Sequence, residues 1–138
     1  MPQVHINYMA VVVSAAVAFL LGGLWYSPLL FAKMWVNAHG YTEDKVKEMQ
    51  KGATKAYAVS VLCLLLIALA MAALVGYLHL IRMDQGLKLG LLVWGGLAFP
   101  LGLMANMYSD KRITTLIIDT AYQLVYMLIM GTVLTVWQ

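Results

Sequence analysis

Residues 56–81, with the sequence AYAVSVLCLLLIALAMAALVGYLHLI, form an unbroken apolar stretch between Lys55 and Arg82. At a rise of about 1.5 Å per residue, a helix of this length exceeds the roughly 30 Å hydrocarbon layer of a bilayer. Windows of similar character and sufficient length lie at residues 1–32, 89–109 and 113–138. The sequence therefore predicts an all-α polytopic membrane protein, a bundle of four transmembrane helices in one membrane domain. The predicted spans lie at about residues 8–30, 56–81, 87–108 and 113–137.

The composition of the chain excludes an ordinary soluble domain. Hydrophobic residues make up 63% of the 138 residues, charged residues only 11%, and the mean hydropathy is +0.83, whereas soluble domains are nearer half apolar and a quarter charged. The longest predicted segment outside the membrane, residues 32–55, is too short for a separate soluble catalytic domain. Cys63 is the single cysteine, so no disulfide can form within the chain.

The basic residues predict an orientation rather than a nucleic-acid partner. If both termini lie outside, the loop of residues 32–55 and the turn near residue 111 lie in the cytoplasm. That orientation places most of the Lys and Arg side chains inside, as the positive-inside rule requires. The inside set is Lys33, Lys45, Lys47, Lys51, Lys55, Lys111 and Arg112, and the outside set is Arg82 and Lys88.

The cytoplasmic loop contains a predicted short helix. Thr42 is placed to cap its first turn, Glu43 and Asp44 suit the positive end of the helix dipole, and Gly52 can end it. This helix either lies on the membrane surface, with its lysines near anionic headgroups, or is a solvated loop helix.

Small residues recur at four-residue intervals and predict close helix packing. The first span carries Ser14, Ala18 and Gly22, and the second carries Ala68, Ala72 and Gly76. In lipid, such faces supply the van der Waals contact that holds helices together. We therefore expect a tight bundle, and self-association through a small-residue face or docking to a larger membrane complex.

Two prolines are expected to disturb the spans. Pro100 lies in the middle of the third span and cannot donate a hydrogen bond to the carbonyl of Gly96, and Pro28 has the same relation to Leu24 near the inner end of the first. The carbonyls released in this way need partners inside the protein.

Asp119 is the one acidic residue inside a predicted span, in the half of that span nearer the cytoplasm. Polar or aromatic side chains share its helix face or its predicted depth, and together they form the candidate site: Asp119, Gln123, Tyr122, Tyr126, Asn106, Trp25, Tyr26 and Ser27. An aspartate in a membrane helix costs roughly 2.5–3.5 kcal/mol and needs a partner or a proton.

Two interpretations of Asp119 follow. It is either a proton or cation site, or a structural element that accepts hydrogen bonds from Asn106, from a tyrosine hydroxyl, or from Lys33 or Lys55. The structural interpretation is favoured, because the spans contain no second titratable residue that would complete a proton path.

Catalytic signatures are not found in the sequence. It contains no nucleotide-binding loop, no Ser/His/Asp set, no zinc motif and no haem-binding cysteine pair. We therefore expect no enzyme activity, no cofactor and no metal.

Three segments carry a family resemblance: Ile6-Asn7-Tyr8, the stretch Gly22-Gly23-Leu24-Trp25-Tyr26-Ser27-Pro28-Leu29-Leu30-Phe31, and Asp119-Thr120-Ala121-Tyr122-Gln123-Leu124-Val125. With these segments the chain resembles the bacterial membrane family known as domain of unknown function 1761, over nearly its whole length. The resemblance implies a multi-pass protein of four spans in the bacterial inner membrane and transfers no catalytic residue.

The function expected from the sequence is a non-enzymatic structural or accessory role in the lipid bilayer, built around the polar cluster at Asp119. The alternative is a homo-oligomeric channel or transporter in which Asp119 couples to a proton or cation.

Overall fold

The structure is a computed structural model that describes residues 3–138. It is 81% helical, and the described part contains no strand. The elements in chain order are α1 (Tyr8–Trp25), α2 (Ala32–His39), α3 (Glu43–Lys51), α4 (Ala53–Tyr77), α5 (Met83–Val93), a π-helical segment (Trp94–Ala98), α6 (Phe99–Tyr108) and α7 (Ile113–Val136).

Four helical segments in residues 3–138 are long and apolar enough to cross a membrane: α1, α4, α7, and α5 continued through the π-helical segment into α6. They contain 18, 25, 24 and 26 residues respectively. The all-α fold class with four spanning helices is thus confirmed, and the chain is a multi-pass helical membrane protein.

Helix α7 lies at the centre of the arrangement. It packs against α1, against α4 and against the α5–α6 span, whereas the α5–α6 span makes its main interhelical contacts with α7 alone. Helices α1 and α4 also pack on each other. The core lies between α1, α4 and α7, with fully buried residues such as Ala10 and Met130.

The small residues of α1 and α4 are used inside this core. Ser14, Ala18 and Ala68 have no exposed surface, and Ala72 is 8% exposed. A methyl group at Gly22 would lie 2.7 Å from the hydroxyl oxygen of Tyr122, and one at Gly76 would overlap the side chain of Val4. These stripes therefore pack within a single chain and are not available for self-association.

Helices α5 and α7 approach each other closely at glycine residues. Gly86 and Gly131 face each other, and a methyl group at either would overlap the carbonyl of the other. A methyl group at Gly90 would lie 2.6 Å from the carbonyl oxygen of Met127. Glycine is needed at these positions because any side chain would push the helices apart.

The two prolines have different effects. Around Pro100 the distortion takes the form of the π-helical segment, in which the amide of Phe99 donates to the carbonyl of Trp94, five residues back. Pro28 lies outside α1, which ends at Trp25, and as expected the carbonyl of Leu24 has a partner other than residue 28. The carbonyl of Leu24 accepts hydrogen bonds from the backbone amide of Ser27 at 3.1 Å and from its hydroxyl at 2.6 Å.

The loop between the first two spans is more helical than predicted. Helix α3 has the predicted limits, and the hydroxyl of Thr42 accepts a hydrogen bond from the amide of Lys45 at 3.2 Å. Helix α2 was not predicted. It ends at Gly40, whose positive φ of 71° is readily adopted by glycine, and it packs against α7.

Candidate functional site around Asp119

A tight turn after α1 brings α2 against α7. In this turn the amide of Phe31 donates to the carbonyl of Trp25, and the amide of Ala32 donates to the carbonyl of Ser27. The chain therefore reverses at the end of the first span, and the next helix returns alongside the membrane-spanning helices. This geometry delivers side chains of α2 to Asp119.

The carboxylate of Asp119 accepts hydrogen bonds from two aromatic side chains. The hydroxyl of Tyr26 donates to Oδ1 at 2.6 Å, and the indole Nε1 of Trp35 donates to the same oxygen at 3.2 Å. We call Tyr26, Trp35 and Asp119 the Asp119 joint, because it connects the end of α1, helix α2 and helix α7. Hydrogen bonds to an ionised carboxylate are stronger than neutral ones.

The helix backbone around the joint accepts three further hydrogen bonds from aromatic side chains. Trp25 Nε1 donates to the carbonyl of Ile118 at 3.0 Å, and Trp94 Nε1 donates to the carbonyl of Thr120 at 2.8 Å. The hydroxyl of Tyr122 donates to the carbonyl of Ala18 at 2.6 Å. A carbonyl inside a helix has a second lone pair, so these bonds connect neighbouring spans while the helices remain intact.

Ring contacts continue from the core to the loop through the joint. The centroid distances are 5.0 Å for Tyr126–Tyr122, 5.6 Å for Tyr122–Tyr26, 6.1 Å for Tyr26–Trp35, 4.0 Å for Trp35–His39 and 4.9 Å for His39–Tyr41. Most of these pairs are edge-to-face or tilted, which are favourable arrangements for aromatic rings. The carboxylate is therefore held by a packed aromatic cluster.

The predicted site residues are only partly brought together. Tyr26, Trp25 and Tyr122 lie around Asp119 as described, and Tyr126 is buried beside Tyr122. Gln123 is half-buried, and in the described part of the chain its buried Oε1 has no hydrogen-bond partner.

Asn106 and Ser27 make their hydrogen bonds elsewhere. The amide of Asn106 donates to the carbonyl of Arg112 at 3.3 Å and to the hydroxyl of Thr115 at 3.2 Å, so it stabilises the turn before α7. Ser27 donates to Leu24. Of the donors expected for Asp119, the tyrosine hydroxyl is present, and no ion pair with Lys33 or Lys55 occurs within residues 3–138.

His39 is the titratable residue that the sequence did not place near Asp119. Its ring lies between Trp35 and Tyr41, and its buried Nε2 has no hydrogen-bond partner among residues 3–138. Burial lowers the pKa of His39 below its usual value, the positive charge of Lys111 acts in the same direction, and the negative charge of Asp119 opposes both. The charge of Asp119 therefore acts on the imidazole of His39.

Trp35 and Trp94 were also missed as site residues. Each is a large aromatic side chain with one N–H donor in an apolar setting, and such a donor usually finds a partner when it is buried. The need for a hydrogen-bond partner could have marked both tryptophans as candidate site residues, but it does not tell which acceptor each one uses.

Metal binding has no candidate in the described part of the chain. Within residues 3–138, no three His, Cys, Asp or Glu side chains come together in a way that could hold a metal ion. The chemistry that the site supports is hydrogen bonding by a carboxylate, with one histidine nearby.

Comparison with known protein families gives one match. A family model described as "Protein of unknown function (DUF1761)" matches residues 9–135. The chain belongs to this family. The matched DUF1761 region covers all four spans except the first residue of α1 and the last residue of α7, and it contains the complete Asp119 joint. The match confirms the resemblance inferred from the sequence. Searches of curated proteins and of solved structures gave no significant match.

Proposed function

We propose that this protein is a non-enzymatic membrane protein of structural or accessory type, in which the Asp119 joint fixes α2 against the spanning helices. The observation that supports this proposal is the pair of hydrogen bonds from Tyr26 and Trp35 to one oxygen of Asp119. An aspartate used as a structural element has to have such donors, because an unpartnered carboxylate in a membrane helix is costly. The joint also connects segments that are distant in sequence.

The proposed location is the bacterial inner membrane, with both termini outside and α2 and α3 in the cytoplasm. The excess of Lys and Arg in the loop that holds these helices supports this orientation. A reporter fused after Gln138 tests it: we expect activity only from a reporter that works outside the cytoplasm. A reporter active only in the cytoplasm would reverse the proposed topology.

The proposed partners are the lipid bilayer, further copies of the chain or a larger membrane complex. Because the small-residue stripes are buried, the surface available to a protein partner is elsewhere, and residues 54–63 of α4 are exposed on every face of the helix. Cross-linking through the exposed Cys63 tests whether this surface meets another copy. A chain that stays monomeric in native membranes would contradict self-association.

The structural role is tested with three variants in parallel. Asp119→Asn, Tyr26→Phe and Trp35→Phe each weaken the joint, and we expect all three to lower thermal stability in detergent. Wild-type protein in liposomes should show no proton or cation flux above that of empty liposomes. Flux through the wild type that disappears in a folded Asp119→Asn variant would contradict the structural role.

A proton- or cation-coupled channel or transporter is the second candidate, and one observation favours it. The sequence places no second carboxylate in the spans, but the structure packs the ring of His39 against Trp35, which donates to Asp119. Two such groups are the minimum for a short proton relay. This function predicts that His39→Gln and Asp119→Asn each abolish pH-driven flux in liposomes while the protein remains folded.

A further inference from the structure

An open groove lies between α2 and α3 where the chain leaves the first span. Its volume is about 540 Å³, within the range of ligand-binding clefts. One part of its wall is apolar and consists of Pro28, Ala32, Val36 and Val46. The groove is thus a concave surface made by two short helices and the turn before them.

The position of the groove is fixed by the Asp119 joint. Trp35 of α2 reaches Asp119, which lies six residues after the start of α7 and therefore roughly 9 Å along its axis. Helix α2 consequently runs beside the ends of the spanning helices. Pro28, three residues beyond the end of α1, is part of the groove wall. From this position we expect the groove to lie at the level where headgroups meet the hydrocarbon layer.

The polar side of the groove carries an excess of positive charge. Lys33 comes from α2 and Lys47 from α3, while Glu43 is the one acidic residue in the lining. Both lysines are exposed, and neither takes part in an ion pair within residues 3–138. Asn37, Tyr41 and Gln50 add groups that can form hydrogen bonds. The groove is therefore lined by two lysines from different helices, and its one carboxylate can neutralise only one of them.

We propose that this groove binds the headgroup of an anionic phospholipid. Lys33 and Lys47 contact the phosphate, and the apolar wall packs against the glycerol and the first acyl carbons. A soluble phosphate compound would not need that wall, and a zwitterionic lipid would not need the excess positive charge. The site recognises one lipid molecule, which distinguishes it from general attraction between a basic loop and an anionic surface.

The test uses purified protein in neutral detergent, titrated with phosphatidylglycerol or phosphatidylcholine and followed by native mass spectrometry. In the double variant Lys33→Gln/Lys47→Gln we expect the affinity for phosphatidylglycerol to fall about tenfold. The matched control is Lys45→Gln/Lys51→Gln, which removes the same net charge from lysines outside the groove lining. The control should change affinity less than about twofold.

A second variant tests the shape of the groove and leaves its charge unchanged. Val46→Trp fills the groove from α3, and we expect it to weaken binding of phosphatidylglycerol without lowering the thermal stability of the spans. Equal losses in the two lysine variants would overturn the proposal, because they would indicate diffuse electrostatic attraction. Equal affinity for both lipids, or full displacement by millimolar inorganic phosphate, would overturn it as well.

Discussion

Helices α4 and α7 have nearly the same length, but the more hydrophobic of the two, α4, is the less buried. The most apolar stretch of α4 has a mean hydropathy of 2.9, and 28% of its residues are buried; for α7 the mean hydropathy is 1.5, and 39% of the residues are buried. In water the more apolar helix would be the more buried one. In a bilayer, lipid solvates apolar side chains, so the helix that carries polar groups is the one that needs protein neighbours.

The polar groups of α7 explain its central position. Thr115, Asp119 and Tyr122 each make a hydrogen bond to or from another part of the chain. By contrast, residues 54–63 of α4 are exposed throughout. The comparison between these two helices teaches that hydropathy identifies the spans of this protein, while polar and small residues determine how they pack.

The largest expected effect comes from forcing α5 away from α7. Gly90→Val would overlap the backbone near Met127, and we expect a loss of about 3 kcal/mol in the free energy of unfolding. Gly95→Val is the matched control, because a methyl group there meets nothing within 4 Å. Thermal unfolding in detergent measures both. Equal losses in the two variants would show that α7 is not closely packed against α5.

The next effect concerns the polar contacts of α7. Asp119→Ala leaves the donors of Tyr26 and Trp35 without their acceptor, and we expect it to destabilise the fold by about 2 kcal/mol. Ile117→Ala changes a residue of the same helix that is 60% exposed, and it should have little effect. Thermal unfolding, together with near-ultraviolet circular dichroism of the aromatic cluster, provides the measurement. An Asp119→Ala protein as stable as the wild type would refute the structural role of the joint.

A pair of leucines in α4 sharpens the contrast between lipid-facing and packed surfaces. Leu64 is 6% exposed and Leu62 is 59% exposed. Because lipid keeps both side chains out of water, the cost of truncating either one comes only from the cavity left by the missing atoms. Leu64→Ala should therefore cost about 1–2 kcal/mol. Leu62→Ala should cost less than about 0.5 kcal/mol. A large loss in the unfolding free energy of the Leu62 variant, measured at several protein concentrations, would mean that another chain covers this surface.

The smallest effect is a pH dependence at α2. The pKa of His39 is lowered by burial in the folded protein, so the unfolded state binds a proton at higher pH than the folded state does. The contribution of neutral His39 is therefore complete above its ordinary pKa near 6.5 and is lost as the pH falls through its lower folded value. We expect α2 to loosen slightly below about pH 6.5.

Tryptophan fluorescence between pH 7.5 and pH 5 measures this change. The transition should be absent in His39→Gln. It should be much reduced in Trp35→Phe, which removes the fluorescent indole whose ring centroid lies 4.0 Å from that of His39. A transition unchanged in His39→Gln would assign the pH dependence to another group, such as one of the carboxylates.

The Asp119 site was predictable in outline only. The need for a partner at Asp119 follows from the cost of a carboxylate in lipid, and a tyrosine hydroxyl was one of the alternative donors that the sequence offered. Tyr26 is that tyrosine. Trp35 could not be predicted, because it is 84 residues from Asp119 in sequence and its position depends on the turn after Trp25. Asn106 has the right depth in the sequence but is bonded to Thr115 instead.

The sequence by itself determined the number of spanning helices, the limits of α3 and the requirement that Asp119 be partnered. Each of these properties depends on local quantities: the length of apolar stretches, capping residues and the solvation of one charge. Tertiary structure alone decided that α7 is central, that α2 returns to the membrane-spanning helices and that His39 lies near Asp119. These outcomes depend on backbone contacts and hydrogen bonds between segments far apart in the chain, and no local pattern of residues encodes which distant segment supplies the partner.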